Sequence, residues 1–197
     1  MEGGGATSTV KTELFFLIQA CRSLYRNSFT QGTQGNGSLR IDAHRILITP
    51  SKKSFRDLKE SDLVSVDLDG RILDGSRKPS IETPFHLAVY RTRRDINVVL
   101  HTHPLNVIKY SFRGKHLVLS GTEGVFSTFP VVRYLRPGSA ELAREVSENI
   151  LRHDAVILSR HGLVTVGKNV SQAYFLTKII EMNAEIQNRM RYRQKSI

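Results

Sequence analysis

The apolar run Ile96-Asn97-Val98-Val99-Leu100 follows a charged stretch, residues 91–95, and stops at His101-Thr102-His103. Such a run reads as a buried strand. Residues i and i+2 of an extended segment share a face, roughly 6–7 Å apart. The two imidazoles can therefore chelate one ion if a third ligand arrives from elsewhere. A second apolar run, Ala155-Val156-Ile157-Leu158, leads directly into Ser159-Arg160-His161-Gly162 and offers His161. Three histidines at the ends of neighbouring buried strands keep one coordination position open, which is the arrangement of a catalytic zinc. On spacing alone, a surface or core coincidence of histidines stands beside that reading.

The remaining pattern interleaves helices and strands. After a glycine-rich start expected to be mobile, Leu14, Leu17, Ile18, Cys21, Leu24 and Tyr25 recur at helical spacing. Gly32, Gly35 and Gly37 mark a loop over residues 30–38. Strands are predicted over 45–49, stopped by Pro50, and over 63–68, followed by a turn at Asp69-Gly70. Thr83 as N-cap and Pro84 as first helical residue predict a helix to about Thr92. Pro104 opens another helix, and weaker strands fall at 116–119 and 129–132. Ser139 caps a helix to about Arg152, residues 163–166 continue the sheet, and a last helix covers about 171–191 with Ala173, Leu176, Ile180 and Ala184 inward. There are no repeats and no dividing linker. The fold expected is α/β, a single domain with a central, mostly antiparallel sheet layered by helices. It should span residues 10–192, after a flexible segment 1–9 and before a basic tail 193–197. Open strand edges also favour oligomers.

At 197 residues the chain suits one domain with a substantial core. No stretch approaches the ~20 apolar residues of a membrane span, and the first residues lack the apolar core of a signal peptide. The single cysteine, Cys21, can form no internal disulfide and no cysteine zinc cluster, so a reducing cytoplasm is the simplest expected location. A net charge of +11 invites a nucleic-acid reading. The basic residues are scattered, however, without a recognition motif or aromatic stacking platform, and nucleic acid is disfavoured. The same charge suits a small anionic substrate.

Three further segments fall in one order ahead of the two histidine segments: Gly35-Asn36-Gly37-Ser38, Ile48-Thr49-Pro50-Ser51, and Lys78-Pro79-Ser80-Ile81-Glu82 with His86 four residues on. In this order and spacing the chain resembles the class II aldolase/adducin family, the zinc-dependent sugar-phosphate aldolases, from about residue 12 to residue 190. The resemblance implies that His101, His103 and His161 bind Zn²⁺ and that Glu82 is the general base beside it. A helix-start carboxylate is the plainer reading of Glu82. His86, inside the helix, is expected to pack or to orient a neighbour. Asn36, Ser51 and Ser80 match the family's phosphate pocket, with Thr33 and Gly35 in the same loop. Ile81 stands where many relatives have a second serine, and Lys52 where a glycine is common. The fuculose-phosphate type uses a tyrosine from the neighbouring subunit as acid/base partner. The corresponding segment here, residues 117–124, has none, but it holds Glu123, and dehydratase branches of the family use a glutamate there. The resemblance implies reversible cleavage of a phosphorylated ketose such as fuculose 1-phosphate to dihydroxyacetone phosphate and an aldehyde, in a homotetramer with interface active sites. The same scaffold also supports 4-epimerases, methylthioribulose-phosphate-type dehydratases, decarboxylases and the non-catalytic adducin-like interaction domain.

Overall fold

The structure, a computed structural model, describes residues 4–120 and 126–194. Its helices are α1 (Gly4–Arg26), α2 (Thr83–Thr92), α3 (Leu105–Ser111), α4 (Ala140–Ile150) and α5 (Val170–Gln194). Strands β1 (Asn36–Arg40), β2 (Arg45–Ile48), β3 (Val64–Asp67) and β4 (Ile72–Asp74) precede α2. Strand β5 (Val98–Thr102) follows it, and β6 (Leu117–Ser120), β7 (Phe126–Phe129) and β8 (Val131–Val132) follow α3. Strands β9 (Ala155–Leu158) and β10 (Gly162–Gly167) lie between α4 and α5. The main sheet runs β4-β3-β2-β1-β5-β10-β9-β8, while β6 and β7 form a separate hairpin. Every pairing in the main sheet is antiparallel except β8 with β9. The expected α/β domain with a mostly antiparallel, helix-covered sheet is the architecture found.

Strand β5 shows why the fold has three layers. All five of its residues are buried. Val99 joins Ile46, Val66, Phe85, Val89, Val146 and Val164 beneath α2 and α4. Its neighbours Val98 and Leu100 face the other way, among Leu17, Cys21, Leu24 and Ala173 of α1 and α5. Successive strand residues point to opposite faces, so a continuous apolar run is satisfied only when helices cover both. Each fully buried Val or Leu contributes about 1.5–3 kcal/mol. A third cluster, with Val107, Leu117, Ile157 and Ile180, packs α3 and α5 against the β9–β10 end.

Two local expectations are corrected. Residues 36–38 belong to β1, the strand beside β5, and not to a loop. Their polar and glycine-rich composition hid a strand whose first four residues are all buried. Thr83 is a helical residue and not the cap; its hydroxyl donates to the Ser80 carbonyl at 2.6 Å. The cap position falls to Glu82, whose side chain makes no capping bond. Helix α1 begins at Gly4. Ser139 caps α4 as predicted, its hydroxyl accepting from the Leu142 N–H at 3.1 Å.

Candidate active site

The two histidine segments meet because β5 and β10 are neighbours. Val164 lies opposite His101 and Leu163 opposite Thr102, which puts His161, one residue before β10, beside the end of β5. The turn that presents it has Arg160 at a φ of 59°, a left-handed conformation. Its N–H is held by the buried Ser111 hydroxyl at 2.9 Å. Gly162 allows the close approach. A Cβ there would lie 2.3 Å from the Thr102 carbonyl oxygen and 3.0 Å from His101 Cε1, so any side chain would force the strands apart. The main-chain N–H of His103 is anchored to the Phe29 carbonyl at 2.8 Å.

The three histidines converge, with one ligand nitrogen from each lying within 4.8 Å of the others. His101 donates its Nδ1–H to the Leu163 carbonyl at 3.1 Å, which fixes the tautomer and leaves Nε2 as a lone-pair donor. His103 Nε2 approaches it to 2.9 Å. Burial lowers the proton affinity of all three imidazoles. His101 falls well below the ordinary value, through burial and then its neighbour His161. His103 falls to about 3, through burial and then the two other histidines. His161 falls through burial, opposed by the Glu82 charge. They are neutral at pH 7, the form that ligates a metal.

Glu82 completes the cluster. Its Oε2 lies 3.2 Å from His101 Nε2 and its Oε1 lies 3.5 Å from His161 Nε2. Glu82 occupies the N-cap position of α2, yet its side chain makes no capping bond there and is buried against the histidines. Buried polar atoms normally find partners, yet Glu82 Oε1 and His161 Nδ1 accept and donate no hydrogen bond. Three neutral imidazoles and a buried carboxylate with unmet acceptor capacity fit a divalent cation.

Asn36 reaches this site because it stands opposite His101 in the β1–β5 register. Its Nδ2–H donates to Glu82 Oε2 at 2.8 Å, and its Oδ1 accepts from His86 at 2.6 Å. One amide hydrogen remains for another acceptor. Ser51 and Ser80 are brought together by backbone bonds: Ser51 N–H donates to the Lys78 carbonyl at 2.9 Å, and Ser80 N–H to the Thr49 carbonyl at 3.1 Å. The Ser80 hydroxyl accepts from the Glu82 N–H at 3.2 Å. Lys52 sits at a φ of 59°, a backbone shape that a glycine adopts without strain. Thr33 is exposed, and so is Ile81, at 66%. Glu123 lies outside the described residues. Among the described residues no helix is long and apolar enough to cross a membrane.

Sequence reasoning missed Ser38, Tyr90 and Gly162. Only Gly162 carried a local signal, a glycine next to a candidate ligand. Ser38 and Tyr90 matter through partners about 50 residues away in the chain.

Residues 16–188 match the model of the Class II Aldolase and Adducin N-terminal domain. An L-fuculose phosphate aldolase of Methanococcus maripaludis is 38% identical over 176 residues, covering 88% of this chain and 95% of the relative. A 3-oxo-tetronate 4-phosphate decarboxylase of Haemophilus influenzae is 32% identical, over 86% and 84% of the two chains. The crystal structure of the L-fuculose-1-phosphate aldolase from Thermus thermophilus superposes with a TM-score of 0.84 at 28% identity, covering 94% of this chain and 98% of that one. From the match along most of its length, with the histidines and Glu82 gathered where the sheet's central strands end, the chain belongs to the class II aldolase and adducin family, as a lyase of the aldolase type.

Proposed function

We propose that the protein is a zinc-dependent aldolase that reversibly cleaves a phosphorylated ketose, such as fuculose 1-phosphate, into dihydroxyacetone phosphate and an aldehyde. The observation that carries this reading is the buried Glu82 carboxylate within 3.2–3.5 Å of two of the three converging imidazoles. His101, His103 and His161 would hold the cation, which when bound supplies Lewis-acid polarisation of the substrate carbonyl. Glu82 then needs only to move a proton at the carbon next to that carbonyl, through its free Oε1. Thr33, Asn36, Ser51 and Ser80 would hold the phosphate, turning binding energy into orientation of the reacting carbon. In the cleavage direction Glu123 of a neighbouring subunit takes the hydroxyl proton beside the scissile bond, and Glu82 returns a proton to the carbon left behind. The working form is a homotetramer in the cytoplasm, with the catalytic domain over residues 10–192 between the short segments 1–9 and 193–197.

A second reading, a phosphorylated-sugar decarboxylase on the same site, is favoured by the relative of that name and by exposed Ile81 in the place of a phosphate-pocket hydroxyl. The deciding experiment incubates zinc-loaded protein with dihydroxyacetone phosphate in deuterated water and follows the hydroxymethyl proton signal by NMR. Exchange that disappears with chelator and in Glu82→Gln supports the aldolase. Without exchange the aldolase reading falls and the decarboxylase substrates are tried. Metal analysis of the purified protein tests the assignment to zinc.

A further inference from the structure

Behind Glu82 runs a line of buried polar side chains with no evident place in a core otherwise made of aliphatic residues and phenylalanine. Asn36, Ser38, His86 and Tyr90 are all at most 4% exposed, and they are joined end to end. We propose that Ser38, His86 and Tyr90 are positioning residues, and that their directed chain of hydrogen bonds, passed through Asn36, holds the Glu82 carboxylate with Oε1 free for proton transfer. The proposal rests on the general-base role of Glu82 proposed above.

The direction follows from counting protons. A general-base carboxylate can only accept, so Asn36 must turn its NH₂ group to Glu82 Oε2, at 2.8 Å. The amide oxygen then faces His86 Nε2 at 2.6 Å, and Nε2 must carry the imidazole proton. That leaves Nδ1 as an acceptor for the Ser38 hydroxyl at 2.7 Å. Having given its one proton, the Ser38 oxygen accepts from the Tyr90 hydroxyl at 2.8 Å. The alternative partner of Tyr90, the Asn97 carbonyl, is longer at 3.3 Å. Every hydroxyl and the neutral imidazole has one proton to give, so reversing any link reverses the rest and would aim the Asn36 oxygen at the carboxylate. The imidazole is itself fixed by stacking on Phe85, with centroids 4.6 Å apart. Of the two Glu82 oxygens, one is thereby committed and the other, Oε1, has no hydrogen bond. An apolar filling would suit the space under α2 without this desolvation cost. A chain that ends on the proposed base accounts for keeping it.

The test uses the full chain, metal-loaded and ¹⁵N-labelled. The imidazole nitrogen shifts of His86 report its tautomer, metal analysis gives the ion per chain, and proton exchange of dihydroxyacetone phosphate gives kcat and KM. The expected results are an Nε2–H tautomer and a kcat lowered about 10- to 100-fold in Ser38→Ala and His86→Phe. KM should stay within about two-fold and the metal content should be unchanged, with Ser38→Thr recovering most of the rate by restoring the hydroxyl. Three outcomes overturn the proposal: a His86 protonated on Nδ1, an unchanged kcat in both variants, or a joint fall of kcat, substrate affinity and metal content that marks a merely structural role. A wild-type protein that exchanges no proton but holds His86 as Nε2–H sinks the aldolase reading alone. An exchanging wild type with the opposite tautomer sinks the positioning chain alone.

Discussion

On one face of β1, Gly37 and Leu39 meet Leu17, Cys21 and Leu100; on the other, Asn36 and Ser38 meet Glu82, His86 and Tyr90. Both faces are equally closed to water. The first is packed with apolar side chains, and a Cβ on Gly37 would already lie 3.2 Å from Leu100. The second is polar, and its cost is offset because each group is bonded to the next. The contrast teaches that burial alone does not identify a structural residue. On this strand the α1/α5 face is packed with apolar side chains, and the α2 face carries the groups of the proposed chemistry.

The comparison breaks most visibly at Glu82. Glu82→Gln should lower deuterium exchange into dihydroxyacetone phosphate by about 10²–10⁴-fold while leaving thermal unfolding and metal content close to wild type. Loss of fold or metal together with rate would instead make Glu82 a structural member of the cluster. Leu17→Ala, on the apolar face, should do the reverse: a loss of about 2–5 kcal/mol in denaturant unfolding, with an unchanged rate per folded molecule. If that variant slows exchange as strongly as Glu82→Gln, the two faces are not separable.

Removal of the cation sharpens the contrast from the side of stability. With metal at 100 times its Kd, chelation should lower the unfolding free energy by about 2.7 kcal/mol. Distant sites add, so the decrement in Leu17→Ala should match that in wild type; a smaller decrement would couple the faces. The last contrast concerns acid. Burial holds His86 at about 3 against an ordinary 6.5, so on acidification the unfolded chain binds that proton before the folded chain does. The stability linked to His86 is complete above pH 6.5 and is lost as pH falls toward 3, at up to about 1.4 kcal/mol per pH unit. Unfolding curves for His86→Phe should lack this part of the slope; identical slopes would put His86 in contact with solvent.

Much of this was legible in the chain. The run 96–100 announced a strand buried on both sides, and its histidine ending announced two members of the three-histidine cluster. Pro84 fixed the start of α2 to within one residue, and the Ala173–Ala184 spacing fixed the inward side of α5. The order of the short motifs singled out Asn36, Ser51, Ser80 and Glu82, and hydrogen bonds join Asn36 and Ser80 to Glu82. What stayed hidden was β1, because Asn36-Gly37-Ser38 has the composition of a turn and becomes a strand only through its pairing with β5. Hidden with it was the use of Ser38 and Tyr90. A hydrogen bond across 48 or 52 residues leaves no local periodicity, and the match of Asn36 to a phosphate pocket gave no hint that both ends of its amide are engaged by Glu82 and His86.

The buried histidines have a calorimetric consequence. All three have lowered proton affinity before any ion arrives, and the ring of His101 is already locked by the Leu163 carbonyl. Most histidine sites must shed protons to load a metal near neutrality. Here the lowered proton affinity means that fewer protons are released on loading, and titrations at pH 7 in buffers of different ionisation enthalpy should show it as a narrower spread of apparent binding heats than an ordinary histidine site gives.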